Sequence, residues 1–225
     1  MQKEYQLAVF DIAGTTVKDK DYVAIAFIEA FQHYGIELQV NEISPLMGFK
    51  KTEAIEKVLT EKGVSHNLKM IEDIHNHFVN AMVSFYTNAH EVEPLPGAEE
   101  IFSFLHEKGI RVALNSGFPK VVVDAIVDRL GWMEKGLIDG YIASDEVEMG
   151  RPYPIMMHQL MKQFGVDSSS AVIKIGDTMV DIQEGRMAAC GLVLAVTTGA
   201  YTRLQLAEYK PDHILDSLNE IRQYC

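Results

Sequence analysis

Apolar and polar positions along the chain fall into two regimes. Leu7-Ala8-Val9-Phe10 is an unbroken apolar run ending in Asp11, followed by Gly14-Thr15-Thr16, the pattern of a parallel strand buried on both faces that delivers an acid to a sheet edge. The pattern then turns helical. Val23, Ala26, Phe27, Ala30 and Phe31 recur at helical spacing over 22–34 until Gly35 stops the run. Pro45 and Gly48 break the chain before a second helix with Ala54, Ile55, Val58 and Leu59, which Gly63 closes. Ser65 or Asn67 can cap a third, with Leu68, Ile71, Ile74, Phe78, Met82 and Phe85 along one side. Residues 18–92 therefore predict helices and no strand. After Pro94-Leu95-Pro96-Gly97, helices at 98–108, 120–130, 154–164 and 181–189 alternate with strands at 110–114, 141–143, 172–176 and 192–196, and a weak strand at 213–215 and a closing helix end the chain. Such alternation implies an α/β fold with a parallel sheet and right-handed crossovers. The expected architecture is a Rossmann-like core from residues 1–17 and 93–225, with an all-helical insertion, 18–92, between them.

Composition narrows the function classes. A formal charge of −12 over 225 residues argues against a nucleic-acid or membrane-surface binder, since both reward clustered Lys and Arg. An anionic ligand would need locally concentrated positive charge. The two cysteines, Cys190 and Cys225, suggest no disulfide framework and fit a reducing compartment. No run approaches the roughly 18 apolar residues of a membrane span, and the opening residues lack a signal-peptide core. The expectation is a cytoplasmic protein with a small-molecule substrate, and a homodimer is allowed for.

The polar residues of the α/β part gather at the carboxyl ends of its strands, where open α/β sheets bind ligands. The strands end at Asp11, at Asn115-Ser116-Gly117, and at Gly176-Asp177-Thr178 with Asp181 a helical turn on. Two carboxylates beside a backbone carbonyl supply the hard oxygen ligands that Mg²⁺ prefers. Gly150-Arg151-Pro152-Tyr153-Pro154 adds a cation just before a helix start, suited to holding an anion. Acid, metal ligands, hydroxyl and cation together describe a phosphoryl site. Against this stand simpler roles: Ser116 as a turn residue, Arg151 as a solvated charge, Asp181 as a helix cap. His75 and His77, two apart on a helix, point to different sides and make no metal pair. Trp132 and Met156, Met157 and Met161 read as packing or surface, and Thr197-Thr198-Gly199 receives no role.

In this order and spacing the four polar groups resemble the motifs of the haloacid dehalogenase superfamily over essentially the whole chain. The resemblance implies that Asp11 is the nucleophile, Ser116 the second-motif hydroxyl, Arg151 the third-motif cation, and that Asp11, the Ala13 carbonyl, Asp177 and Asp181 form the Mg²⁺ site, with the helical insertion as a cap. Most phosphatases of the superfamily carry a second aspartate two residues after the nucleophile, which protonates the leaving alcohol. Here that position is Ala13. The segment from Asp11 to Val17, the arginine in place of the usual lysine, and Met47-Gly48-Phe49-Lys50-Lys51 instead resemble phosphonatase, the phosphonoacetaldehyde hydrolase. That likeness implies Lys51 as a Schiff-base lysine and Met47, Ser116, Gly117 and Arg151 as substrate contacts. An iminium on Lys51 would accept the electrons of a breaking P–C bond, so no acid at position 13 is required. Neutral lysine is needed for this, and the adjacent Lys50 charge and a helix start are expected to lower its pKa; the simpler reading is a solvated lysine pair. Phosphonatases carry a histidine at the position of Ala54 and a tyrosine at that of Phe118, and their chains run longer. The alternatives are a phosphatase of a small ester, phosphoglycolate phosphatase-like, and a non-catalytic protein that binds a phosphorylated ligand.

Overall fold

The computed structural model describes residues 4–225. Six parallel strands form one sheet in the order β3-β2-β1-β4-β5-β6: β1 (Leu7–Phe10), β2 (Arg111–Ser116), β3 (Gly140–Ala143), β4 (Val172–Gly176), β5 (Leu192–Val196) and β6 (His213–Leu215). β1 is central, with Phe10 opposite Leu114 of β2 and Ile175 of β4. The chain moves from β1 toward β3 and then returns to the other side of β1. The switch point therefore lies between β1 and β4, beside Asp11.

Strand alternation divides the core. Ala8 and Phe10 face an apolar layer that includes Phe27, Phe78 and Phe102, while Leu7 and Val9 face Met156, Met157 and Leu160. The first layer combines helices α5 (Ala98–Glu107) and α6 (Lys120–Leu130) with the helical segment α1 (Tyr22–Gln32), α2 (Val40–Ile43), α3 (Lys51–Glu61) and α4 (Leu68–Asn88). On the other face lie α7 (Ile155–Phe164), α8 (Met179–Met187) and α9 (Arg203–Glu208). Among the described residues 18–92 hold helices and no strand, as their periodicity requires. The chain leaves and re-enters the sheet layer side by side: Val17 bridges Pro94, Lys18 N–H donates to the Glu93 carbonyl and Leu95 N–H to that of Thr16.

Most predicted elements form within one or two residues of their expected ends. Asn67, rather than Ser65, caps α4 by accepting from Met70 N–H at 2.9 Å. The closing helix is a 3₁₀ segment, Leu218–Gln223. α8 begins at Met179, with Thr178 as its N-cap, so Asp181 is not the cap but the third helical residue. Trp132 is fully buried, edge-on to Phe102, with its indole N–H on Glu99. Met156, Met157 and Met161 are buried and thus packing residues. His77 stacks on His33 across α1 and α4, and Cys190 and Cys225 are free.

Candidate active site

The turn after β1 is built by its own polar groups. Thr16 Oγ1 donates to the carbonyls of Asp11 and Ile12, whose oxygen also accepts from the Thr16 and Val17 amides. This leaves the Asp11 carboxylate, 5% exposed, aimed off the strand end. Oxygens of Asp11, Asp177 and Asp181 lie within 4.8 Å of one another, all three residues buried. Packed this closely away from water, carboxylates repel one another and resist ionising. Burial pushes the Asp11 carboxyl up to about 6, against the pull of Arg151, and raises that of Asp177 well above the usual range, with Asp11 and Asp181 adding to the effect. Such a set fits a small divalent cation, which would offset the repulsion and favour the ionised acids.

The three acids are held differently. Asp177 accepts from Thr15 Oγ1 at 3.0 Å and from the Ala200 amide at 2.7 Å. Asp181 instead meets two buried cations, Arg151 Nη1 at 2.5 Å and Lys174 Nζ at 3.0 Å, and accepts from Thr178 Oγ1 at 2.7 Å. Although burial opposes its charge, Arg151 and Lys174 hold its carboxyl below the ordinary value. Asp181 is therefore held by two protein cations, Asp11 by Arg151 alone, and Asp177 by a hydroxyl and an amide.

Arg151 is 1% exposed, which excludes a solvated surface charge. Its Nη1 also donates to Asp11 Oδ1 at 2.7 Å, and its Nε donates to the Gly48 carbonyl at 3.0 Å. The sheet edge and the turn before α3 therefore share one guanidinium. They also meet backbone to backbone: a Cβ on Gly117 would stand 2.5 Å from the Gly48 carbonyl oxygen, and Gly48 itself has φ +87°, so neither position accommodates a side chain without strain.

Asp11, Ala13, Met47, Lys51, Ser116, Gly117, Arg151 and Asp177 all line one narrow cavity of about 30 Å³. Asp181 stands behind Arg151. Ser116 does serve its turn, accepting from Phe118 N–H at 3.2 Å, yet it is buried at the cavity wall. Lys51 is the first residue of α3 and 3% exposed. Its Nζ donates to the Phe49 carbonyl at 3.3 Å and lies 5.4 Å and 5.9 Å from the ring centres of Phe118 and Phe78. Burial, with Arg151 adding to it, lowers the ammonium to about 8. The solvated-pair reading fails here, and so does the expected role of Lys50. That side chain turns away to the carbonyls of Val147 and Glu148, and the depression comes from desolvation and Arg151 instead.

Several supporting residues escape sequence reasoning. Lys174, fully buried at the centre of β4, bonds Asn115 Oδ1 and pairs with Asp181 and Glu184, while Asn115 Nδ2 donates to both Glu184 oxygens. The signal available was a lysine inside an otherwise apolar strand. Thr198, given no role above, donates to the Gly14 carbonyl at 2.7 Å, so with Ala200 the loop after β5 braces both the first turn and Asp177. Removing one partner of a buried ionic cluster leaves the others uncompensated. Lys174→Met is accordingly expected to lower stability by about 3–5 kcal/mol in urea unfolding at neutral pH.

A switch-point cavity lined by the Asp11 and Asp177 carboxylates, a buried guanidinium and a hydroxyl, with the Asp181 carboxylate against the guanidinium, suits phosphoryl-transfer hydrolysis. A family model for haloacid dehalogenase-like hydrolases matches residues 5–189, and the chain belongs to that family. It is 29% identical to the phosphonoacetaldehyde hydrolase of Bacillus mycoides, over 96% of this chain and 86% of that protein. Among solved structures it is similar to a phosphonoacetaldehyde hydrolase-like protein from Oleispira antarctica, with a TM-score of 0.86 and 22% identity over 97% of this chain and 90% of that one. It is similar too to a predicted phosphoglycolate phosphatase from Haemophilus somnus, with a TM-score of 0.78 and 19% identity over 97% of each chain. The protein is thus a hydrolase, not merely a binding protein. Among the described residues no helix is long and apolar enough to cross a membrane.

Proposed function

We propose that the protein is a phosphonatase-like hydrolase that cleaves the P–C bond of a small phosphonate bearing an aldehyde or ketone, phosphonoacetaldehyde or a close relative. The observation that carries this reading is Lys51: a buried amine with a depressed pKa in the same cavity as Asp11, at a site whose position 13 offers no acid to a leaving alkoxide. The relatives at 28–30% identity named as phosphonoacetaldehyde hydrolases support it.

In this reading the helical segment 18–92 is a cap over the core formed by 1–17 and 93–225, of which residues 1–3 lie outside the described residues. Lys51 Nζ condenses with the substrate carbonyl, releasing water and giving an iminium. Asp11 attacks phosphorus as the P–C bond breaks, and the bonding electrons pass into the iminium to leave an enamine. The enamine takes up a proton at carbon, and hydrolysis of the resulting imine frees Lys51 and the aldehyde or ketone. Water then hydrolyses the aspartyl-phosphate. Ser116 and Arg151 bind the phosphoryl oxygens and stabilise the charge developing on them, while Met47 and Gly117 line the substrate's path. Asp11, the Ala13 carbonyl and Asp177, with Asp181 positioning them, would hold Mg²⁺, which would supply positive charge for the phosphoryl chemistry.

The test is phosphate release from phosphonoacetaldehyde with Mg²⁺, beside phosphoglycolate and other small phosphate esters. Release from the phosphonate, together with inactivation by borohydride only when that substrate is present, is the expected result. Release from esters alone would replace this reading with that of a phosphatase in which Lys51 is an anion contact.

A further inference from the structure

The mechanism above leaves one charged group of the cavity unused. Asp19, in the segment before α1, lines it together with Val23, Met47, Lys51 and Phe118. Its Oδ1 accepts from Val23 N–H at 3.3 Å, capping the start of α1, and among the described residues it forms no ion pair within 4.0 Å. Its partners are backbone amides of α1, at Val23 and Tyr22, so its charge at the cavity wall is not neutralised by a paired cation. Burial raises its carboxyl, while the amide donors of α1 and the charge of Lys51 favour the ionised form.

Charge along the cavity is therefore uneven. At the sheet edge, Arg151 and the acid cluster suit a phosphoryl group with its metal. At the Lys51 end the walls are apolar except for one cation and one anion. With Lys51 alone, that end would attract a second anionic group on the ligand. With Asp19 beside it the attraction is opposed, and a carboxylate there would face another carboxylate in surroundings largely stripped of water.

We propose that Asp19 is a specificity-determining residue that excludes a carboxylate from the carbonyl end of the substrate. The site then accepts phosphonates ending in an uncharged aldehyde or ketone, and rejects phosphonocarboxylates and the phosphate esters of hydroxy acids. This deepens the reading of the cavity given above, and rests on it for which end of the substrate meets Lys51.

Unreactive ligands separate the two claims. Dissociation constants with Mg²⁺ are measured by calorimetry for ethylphosphonate and 2-phosphonoacetate, on the wild type and on Asp19→Asn. The asparagine keeps an oxygen to accept from Val23 N–H, so the cap on α1 is retained. The wild type is expected to favour ethylphosphonate, and Asp19→Asn to shift the ratio of the two constants toward phosphonoacetate by about tenfold, the order expected for removing one like charge at close range. An unchanged ratio, or a wild type that binds neither ligand, overturns the assignment. Failure to release phosphate from phosphonoacetaldehyde would instead remove the P–C cleavage reading, and the ligand ratio would still report on Asp19.

Discussion

Asp11→Asn is expected to abolish turnover, with phosphate release falling on the order of 10⁶-fold, as loss of an attacking side chain does in other covalent hydrolases. Asparagine matches the size of Asp11 and can still accept from Arg151 Nη1, so the 2.7 Å contact at the strand end can persist while the nucleophile is lost. The substitution also removes a charge that helps to raise the Asp177 carboxyl. Asp177 is then expected to ionise more readily, so the variant should remain folded. Single-turnover phosphate release and a Mg²⁺-dependent beryllofluoride adduct provide the measurement: the wild type should form the adduct and the variant should not. Normal turnover in the variant would remove Asp11 from the chemistry.

Lys51→Arg is expected to have the second largest effect. Arginine keeps the positive charge but cannot condense with a carbonyl, so P–C cleavage should fall at least on the order of 10³-fold, about 4 kcal/mol of lost transition-state stabilisation. Borohydride trapping should vanish with it. The pH profile adds a check whose sign follows from the amine. Below about pH 8 Lys51 is mostly protonated and unreactive, so kcat/KM should climb with pH and level off above that value. A lysine at the ordinary value would offer roughly 300-fold less free amine at neutral pH, since 10.5 exceeds 8 by two and a half units. Stability carries the same signature. The unfolded chain holds this proton up to about 10.5 and the folded chain only to about 8, so between those values rising pH favours folding. Turnover of phosphonoacetaldehyde by Lys51→Arg at the wild-type rate would exclude the imine.

The residues that were legible in the sequence share a simple property: each stands where an apolar run gives way to polar chain. Asp11, Ser116 and Asp177 end or follow buried parallel strands, and an uninterrupted run of β-favouring residues locates such a position without tertiary knowledge. Asp181 was readable as one helical turn beyond Asp177, and Arg151 as a cation in the loop just before a helix start. The four-residue helix Val40–Ile43 was not, because a single turn shows no periodicity. Lys174 and its contacts with Asn115 and Glu184 were missed for a different reason. Their meaning lies in contacts between β4, β2 and α8, at sequence separations of 59 and 69 residues for the bonds of Asn115, and nothing local announces them. The cause of the Lys51 shift was misjudged on the same ground: Lys50 is its neighbour in sequence, whereas Arg151 is its neighbour in space.

One consequence follows from the guanidinium that donates to the Gly48 carbonyl while also meeting Asp11 and Asp181. A group shared between the turn before α3 and the anion-binding edge makes their occupancies thermodynamically reciprocal: whatever factor the turn's docking adds to anion affinity, a bound anion adds to docking. In the reading proposed above, inorganic phosphate bound at that edge favours the docked turn. Phosphate affinity with the turn docked, and docking of the turn with phosphate bound, then report one coupling free energy.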